Sequence, residues 1–284
     1  MADDVGQVEE RAMVAIHYTA RGAAPLTGAV SQSLTRATFA ALNAPSVQET
    51  QPWRWRIDRD RLALYADRGR RLADADPDGR QLLISCGAAL HHARVALAAE
   101  GVGVDVWRFP DPADPALLAE LRCTGPIERL PRAGALHRAI AVRRSDRRPF
   151  AGVPVPEEQL ALLEEAAGPG SYSLSGHDPE SHAAYVVITA PDAGPGGWVA
   201  AGEAMSAVLL AATAAGLVSS PVDDLTPLAG PEPRTGAPSP AAAVRVGVAG
   251  RVGVTGGAGV AGGAGVAGGA GVAPVQGRRP AVSA

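Results

Sequence analysis

"DPDGRQLLISCGAALHHARVALAAEG", residues 76–101, carries the strongest periodic pattern in the chain. Asp76 fits an N-cap, Pro77 a first turn and Gly101 a stop, so the spacing predicts a long helix between them. Its apolar stripe runs Leu82, Cys86, Ala89, Leu90, Ala93 and Leu97, and the small members of that stripe invite a second helix to approach closely. "GWVAAGEAMSAVLLAATAAGL", residues 197–217, repeats the design: Ala-rich, preceded by a strand region and ended near Gly216. Two similar halves are therefore expected, joined near residues 124–134.

Working outward, "GAVSQSLTRATFAALNA" predicts a helix ending before Pro45. "WRWRI" and "RLALYAD" alternate on either side of Asp58, Arg59 and Asp60 and predict two strands around a tight turn. "VGVDVWRF" reads as a strand, "DPADPALLAELR" (111–122) as a short helix, and "GALHRAIAVRRS" as another. "VPEEQLALLEEAA" is an amphipathic helix whose Glu157 and Glu158 complement the dipole of its first turn, and "AAYVVITA" is a buried strand. The expected organisation is a loose arm over 1–27, a first half over 28–123, a second over 135–250 and a low-complexity tail over 251–284. In that tail "GGAGVA" occurs three times in succession at 256–273, with no side chain large enough to build a core.

Composition narrows the function. An apolar fraction of 46% over 284 residues supports one large domain or two small ones. A net charge of −3 removes a dedicated nucleic-acid binder, which needs a basic excess. The chain has no lysine, so Schiff-base chemistry, pyridoxal-phosphate anchoring and a phosphate-binding lysine are excluded. Any phosphate must be held by arginine or backbone N–H groups. Cys86 and Cys123 lack CxxC spacing and read as a reduced pair. No run of about 18 apolar residues escapes interruption by charge or glycine, and the N-terminal "MADDVGQVEER" is acidic. A soluble, cytoplasmic protein without a membrane partner is expected. His91 and His92 are neighbours on a helix and are not expected to share a face, so no metal site is assigned. Ser85-Cys86 has no base at a predictable spacing, and "GPGSYSLSG" lacks the flanks of a dinucleotide fingerprint.

Two stretches carry chemistry. "APSVQETQPWRW" (44–55) crowds Ser46, Gln48, Glu49, Thr50 and Gln51 before a Trp-anchored strand. Such groups donate and accept, which suits the edge of a planar amide-rich ring; a solvated Pro-containing turn fits the spacing as well. "RRSDRRPF" (143–150) packs four arginines and a serine together, as a phosphate clamp or as a solvated charge run.

Together these stretches resemble the flavin-dependent nitroreductase superfamily, with its "RRSxRxF" and "APSxxNxQPW" motifs. They are most similar to its Acg-like branch, through "DPDGRQLLISCGAALHH", "RFPDPADP", "RRSDRRPF" and "GWVAAGEAMSAVLLAATAAGL" in that order, over roughly residues 28–220. The resemblance implies an α+β fold with antiparallel-rich sheets and long packed helices. The Gln-Pro-Trp motif here precedes the Arg/Ser motif, the reverse of ordinary nitroreductases, which implies a fused pseudo-dimer with one flavin position. It further implies FMN as cofactor. Arg143, Arg144, Ser145 and Arg147 would lie at the phosphate and ribityl chain, Gln48, Glu49, Thr50 and Gln51 at the ring, and Arg279 beside Arg278 at the phosphate from the tail. The implied activity is NAD(P)H-dependent reduction of an electron-poor acceptor by a monomeric pseudo-dimer or a homodimer. Alternatives are a non-catalytic FMN-binding or flavin-sequestering protein and a degenerate paralogue without cofactor. Two departures stand out: Glu49 replaces the family's Asn, and 221–255 is shorter and richer in Pro and Gly than the family's.

Overall fold

Trp53, Trp55 and Ile57 alternate with Arg54, Arg56 and Asp58, so an extended backbone sends three large apolar side chains to one face and the charges to the other. That strand is β2 (Trp53–Asp58), and it turns through Arg59, at positive φ, into β3 (Arg61–Ala66). The computed structural model describes residues 16–18, 28–148, 150, 152–169, 171–178, 182–190, 192–222, 225, 228 and 240–249. All of them fall within one compact unit ending at Gly250.

The first sheet has the order β1-β2-β3-β5-β4, with β1 at Ile16–Tyr18, β4 at Val102–Arg108 and β5 at Leu117–Pro126. β1 lies within the stretch expected to be a loose arm, yet it pairs parallel to Trp55–Ile57. Residues 111–122, expected as a helix, correct that reading. Asp111 and Asp114 close two side-chain turns by accepting from the Ala113 and Ala116 N–H groups at 2.8 and 3.1 Å. The chain then enters β5, hydrogen-bonded to β3 on one side and β4 on the other. "LLAEL" favours a helix locally, but two neighbouring strands with open edges override propensity.

The second sheet, β6-β7-β9-β8, is antiparallel throughout: β6 Tyr172–Asp178, β7 Ala183–Thr189, β8 Val218–Pro221 and β9 Pro240–Gly247. Only β7 is foreseen in the sequence. The helices are α1 (Gly28–Ala41), α2 (Arg80–Ala99), α3 (Pro131–Val142), α4 (Glu157–Ala167) and α5 (Pro195–Ala214). α2 rests on β3 and β4, α5 on β7, β8 and β9, and the two long helices pack on each other between the sheets.

α2 begins three residues later than its sequence suggests, after Gly79 at φ +73°. Asp76 caps it nonetheless: its buried carboxylate accepts from the Gln81 and Leu82 N–H groups, both at 2.9 Å. The α2–α5 contact is glycine-on-carbonyl in both directions. A Cβ at Gly87 would strike the Val199 carbonyl, and one at Gly202 would strike the Ile84 carbonyl. Nearby, Glu203 on α5 is only 8% exposed and is held by Arg94 of α2 at 2.7 Å and by Arg108 of β4 at 2.6 and 2.9 Å. Both helices are long and apolar enough to cross a membrane by length and composition, but charge and glycine interrupt each, and most of each is buried within this core.

Candidate functional site

The 44–52 loop connects α1 to β2 and is built on its own side chains. Ser46 Oγ accepts from the Gln51 N–H (3.1 Å), and the Thr50 hydroxyl donates to the Val47 carbonyl (2.8 Å). Gln51 Nε2 donates to the Leu42 carbonyl at 2.9 Å. From α2, Ser85 Oγ accepts from the Val47 N–H (3.1 Å), and the buried Cys86 thiol reaches the Pro52 carbonyl (3.3 Å). Ser85 and Cys86 thus hold the loop. Burial pushes the Cys86 thiol well above its ordinary value, so it is inert as a nucleophile.

Three of the clustered residues take left-handed backbone: Gln48 at φ +44°, Glu49 at +56° and Gln51 at +45°. Side chains other than Gly and Asn are strained there, at about 1–2 kcal/mol each. Asn, which tolerates left-handed backbone, would relieve this strain at Glu49. Of the five polar side chains, Ser46, Thr50 and Gln51 secure the turn, and Gln48 and Glu49 are exposed.

The arginine motif begins where α3 ends. The Arg143 N–H closes the helix on the Ala139 carbonyl (2.8 Å), and its guanidinium turns inward. There Nη1 lies 3.3 Å from Ser145 Oγ, and Nη2 lies 3.4 Å from the carbonyl of Asn43, at the threshold of the 44–52 loop. This contact joins the two motifs, a hundred residues apart in sequence. Among the described residues Arg143 has no carboxylate partner, and its Nε is buried without an acceptor. Burial, with Arg144 adjacent, lowers its proton affinity from the usual arginine value. A half-buried, uncompensated guanidinium fits an anion such as a phosphate.

The other motif residues divide. Arg144 Nη1 donates to the Ala141 and Arg143 carbonyls at 3.1 and 2.7 Å and so caps the end of α3. Ser145 bridges to Ser219 of β8, where the Asp146 N–H donates to the Ser219 carbonyl (3.0 Å), tying the motif to the second sheet. Arg148 pairs with Asp146 at 2.6 Å and lowers its carboxyl to about 2. Arg147 is exposed. Arg279 lies outside the described residues.

The histidines correct the sequence reading. Though adjacent, both reach one hydroxyl: Ser206 Oγ lies 2.8 Å from His91 Nδ1 and 2.9 Å from His92 Nδ1. No cluster of metal-ligating side chains occurs among the described residues. A separate cavity of about 690 Å³, between α1, the end of α2 and the β4–β5 pair, shares no residue with either motif.

The fold is nitroreductase-like: a crystal structure described as "a putative nitroreductase from Anabaena variabilis" superposes with a TM-score of 0.51 over 80% of this chain and 90% of that one, at 10% identity. In sequence, the chain is similar to two Mycobacterium tuberculosis proteins, "Putative NAD(P)H nitroreductase Rv3131" and "Putative NAD(P)H nitroreductase acg". Identity to the first is 44% over 134 residues, 47% of this chain and 39% of that protein; to the second it is 40% over 131 residues, 46% and 39%. The chain thus resembles the Acg-like branch in sequence while spanning well under half the length of these relatives. No protein-family model matches it.

Proposed function

We propose that the chain binds FMN at the junction of its two motifs and acts as an NAD(P)H-dependent oxidoreductase toward an electron-poor acceptor. The observation that carries this reading is Arg143, a half-buried cation with no carboxylate partner among the described residues, bonded to the start of the polar loop. In this reading Arg143 and Ser145 hold the phosphate, with Arg147 and Arg279 beside them. Gln48 and Glu49 face the ring, while Thr50 and Gln51 act mainly by shaping the loop, and Arg144 acts by ending α3. FMN, when bound, supplies the redox chemistry, taking hydride from a nicotinamide and passing electrons on. The protein positions it and sets its electrostatics.

The two sheets and the paired helices α2 and α5 support a fused pseudo-dimer in which residues 28–123 and 135–250 each contribute one part of a single site. A cytoplasmic monomer or homodimer accords with this reading. One observation favours a second, flavin-storing reading: the exposed carboxylate of Glu49 stands in the ring loop, where its charge opposes an anionic reduced flavin.

The deciding experiment is the visible spectrum of protein saturated with FMN and desalted, followed by anaerobic NADH or NADPH. A one-to-one flavin band that bleaches supports the oxidoreductase; a band that persists supports storage. A colourless protein overturns both.

A further inference from the structure

The chain leaves β3 through "DRGRR", residues 67–71, which crowds Arg68, Arg70 and Arg71 together. Asp67 caps the short 3₁₀ turn Arg68–Arg70, its carboxylate accepting from the Gly69 N–H at 3.2 Å. This turn is fastened to the polar loop. The Asp67 N–H donates to the Pro52 carbonyl (3.0 Å), and Arg70 Nη1 donates to the carbonyls of Gln51 (3.2 Å) and Thr50 (3.4 Å). The arginines are therefore held directly beside the loop that meets the flavin ring in the reading above.

The guanidiniums divide. Arg70 is committed to the loop carbonyls and to Asp67 at 3.5 Å, a carboxylate that Arg54 also approaches at 3.8 Å. Arg71 Nη1 donates to the Pro77 carbonyl (3.2 Å), and Arg68 makes no side-chain bond among the described residues. Both are exposed, and neither pairs with the exposed Asp74 or Asp78 that follow. Arg36, Arg61, Arg132 and Arg148, exposed likewise, each meet a carboxylate. Arg68 and Arg71 are two uncompensated cations at one edge of the candidate site.

We propose that Arg68 and Arg71 bind the 2′-phosphate of NADPH and so select it over NADH. The inference rests on the FMN reading above and names the nicotinamide which that reading takes. A phosphate monoester carries about two negative charges at pH 7, and planar guanidiniums match its oxygens in pairs. NADH offers only a ribose hydroxyl at that place, which a carboxylate recognises where an arginine takes the phosphate. The one carboxylate of this turn, Asp67, is already engaged by its cap and by two arginines.

The test is calorimetric titration of the full chain, with and without FMN, using adenosine 2′,5′-bisphosphate, AMP and inorganic phosphate as probes. The bisphosphate is expected to bind at least about tenfold more tightly than either of the others. Joint substitution Arg68→Gln and Arg71→Gln should remove that difference. Arg61→Gln, the same charge change at the far end of β3, should leave it intact. With FMN bound, the parent should show a lower KM for NADPH than for NADH, and the double variant should not. Equal affinity for the bisphosphate and AMP, equal KM values in the parent, or an equal loss in Arg61→Gln overturns the proposal. Inorganic phosphate binding as tightly as the bisphosphate also overturns it, since the patch then takes any anion. If FMN does not bind, the flavin reading fails on its own, and titration of the free protein still decides whether Arg68 and Arg71 read the phosphate.

Discussion

Gly87 of α2 and Gly202 of α5 are reciprocal: each lies against a backbone carbonyl of the opposite helix, Val199 and Ile84 respectively, with no room for a Cβ at either. Backbone faces backbone, so neither side can yield by rotating a side chain. Gly202→Ala gains up to about 1 kcal/mol of helix propensity, yet it is expected to lose stability overall by about 1–3 kcal/mol through overpacking. Urea denaturation followed by circular dichroism checks this, and an unchanged or higher midpoint would mean that the helices lie further apart.

Glu203 ties both long helices to the first sheet through Arg94 and Arg108. Glu203→Ala leaves two cations facing each other across an emptied buried position. The expected loss is about 2–3 kcal/mol, below the range for a fully buried pair because the arginine side chains are 40% and 38% exposed. Glu203→Gln, which keeps the volume, should lose less, and comparison of the two urea midpoints separates charge from packing.

Glu49→Asn relieves a left-handed residue at φ +56°. The variant is expected to gain about 0.5–1 kcal/mol, because Asn tolerates this backbone where Glu does not. With FMN bound, removal of the carboxylate should also raise the flavin midpoint potential. A more stable variant whose potential drops would place Glu49 away from the ring while upholding the backbone account.

Arg143 and Arg144 are adjacent in sequence and separate in role. Arg143→Ala is expected to weaken FMN binding by about 1.5–3 kcal/mol, the range for hydrogen bonds to charged groups. Arg144→Ala, which removes a helix cap, should lower thermal stability slightly and leave flavin affinity near that of the parent. Fluorescence titration of both variants is the check, and equal losses would contradict the division.

The histidine pair makes stability depend on pH. Burial is the main cause that lowers both rings to about 3, with Arg94 adding to the effect at His91, and His91 and Arg143 at His92. Unfolded histidines titrate at about 6.5, so between these values the unfolded chain binds protons that the folded chain refuses. Stability is complete above about pH 6.5 and falls toward about pH 3, by about 1.4 kcal/mol per pH unit for each fully buried ring. Both rings contribute alike, since each is lowered to about 3. Urea midpoints at pH 7.5 and 5.5 should show the drop, and a flat profile would mean that the rings are not held neutral.

Much of this fold is legible in the chain. The small-residue stripes of α2 and α5 announce close packing, and Trp53, Trp55 and Ile57 announce a strand buried on one face. These features are local, since period and side-chain size suffice to read them. The candidate site is legible only as residue types. Spacing could not say that Thr50 and Gln51 bond back to their own loop, or that Arg144 turns to the helix carbonyls while Arg143 turns inward.

The sequence by itself determined the two long helices, the β2–β3 hairpin, the exclusion of lysine chemistry and the two polar motifs. Only the tertiary structure decided that residues 117–126 form a strand, that His91 and His92 share Ser206, and that Arg143 meets Asn43. Each of these depends on partners between 11 and 115 residues away in the chain. A strand needs an open edge beside it, and a buried polar atom needs a partner, and no local pattern supplies either.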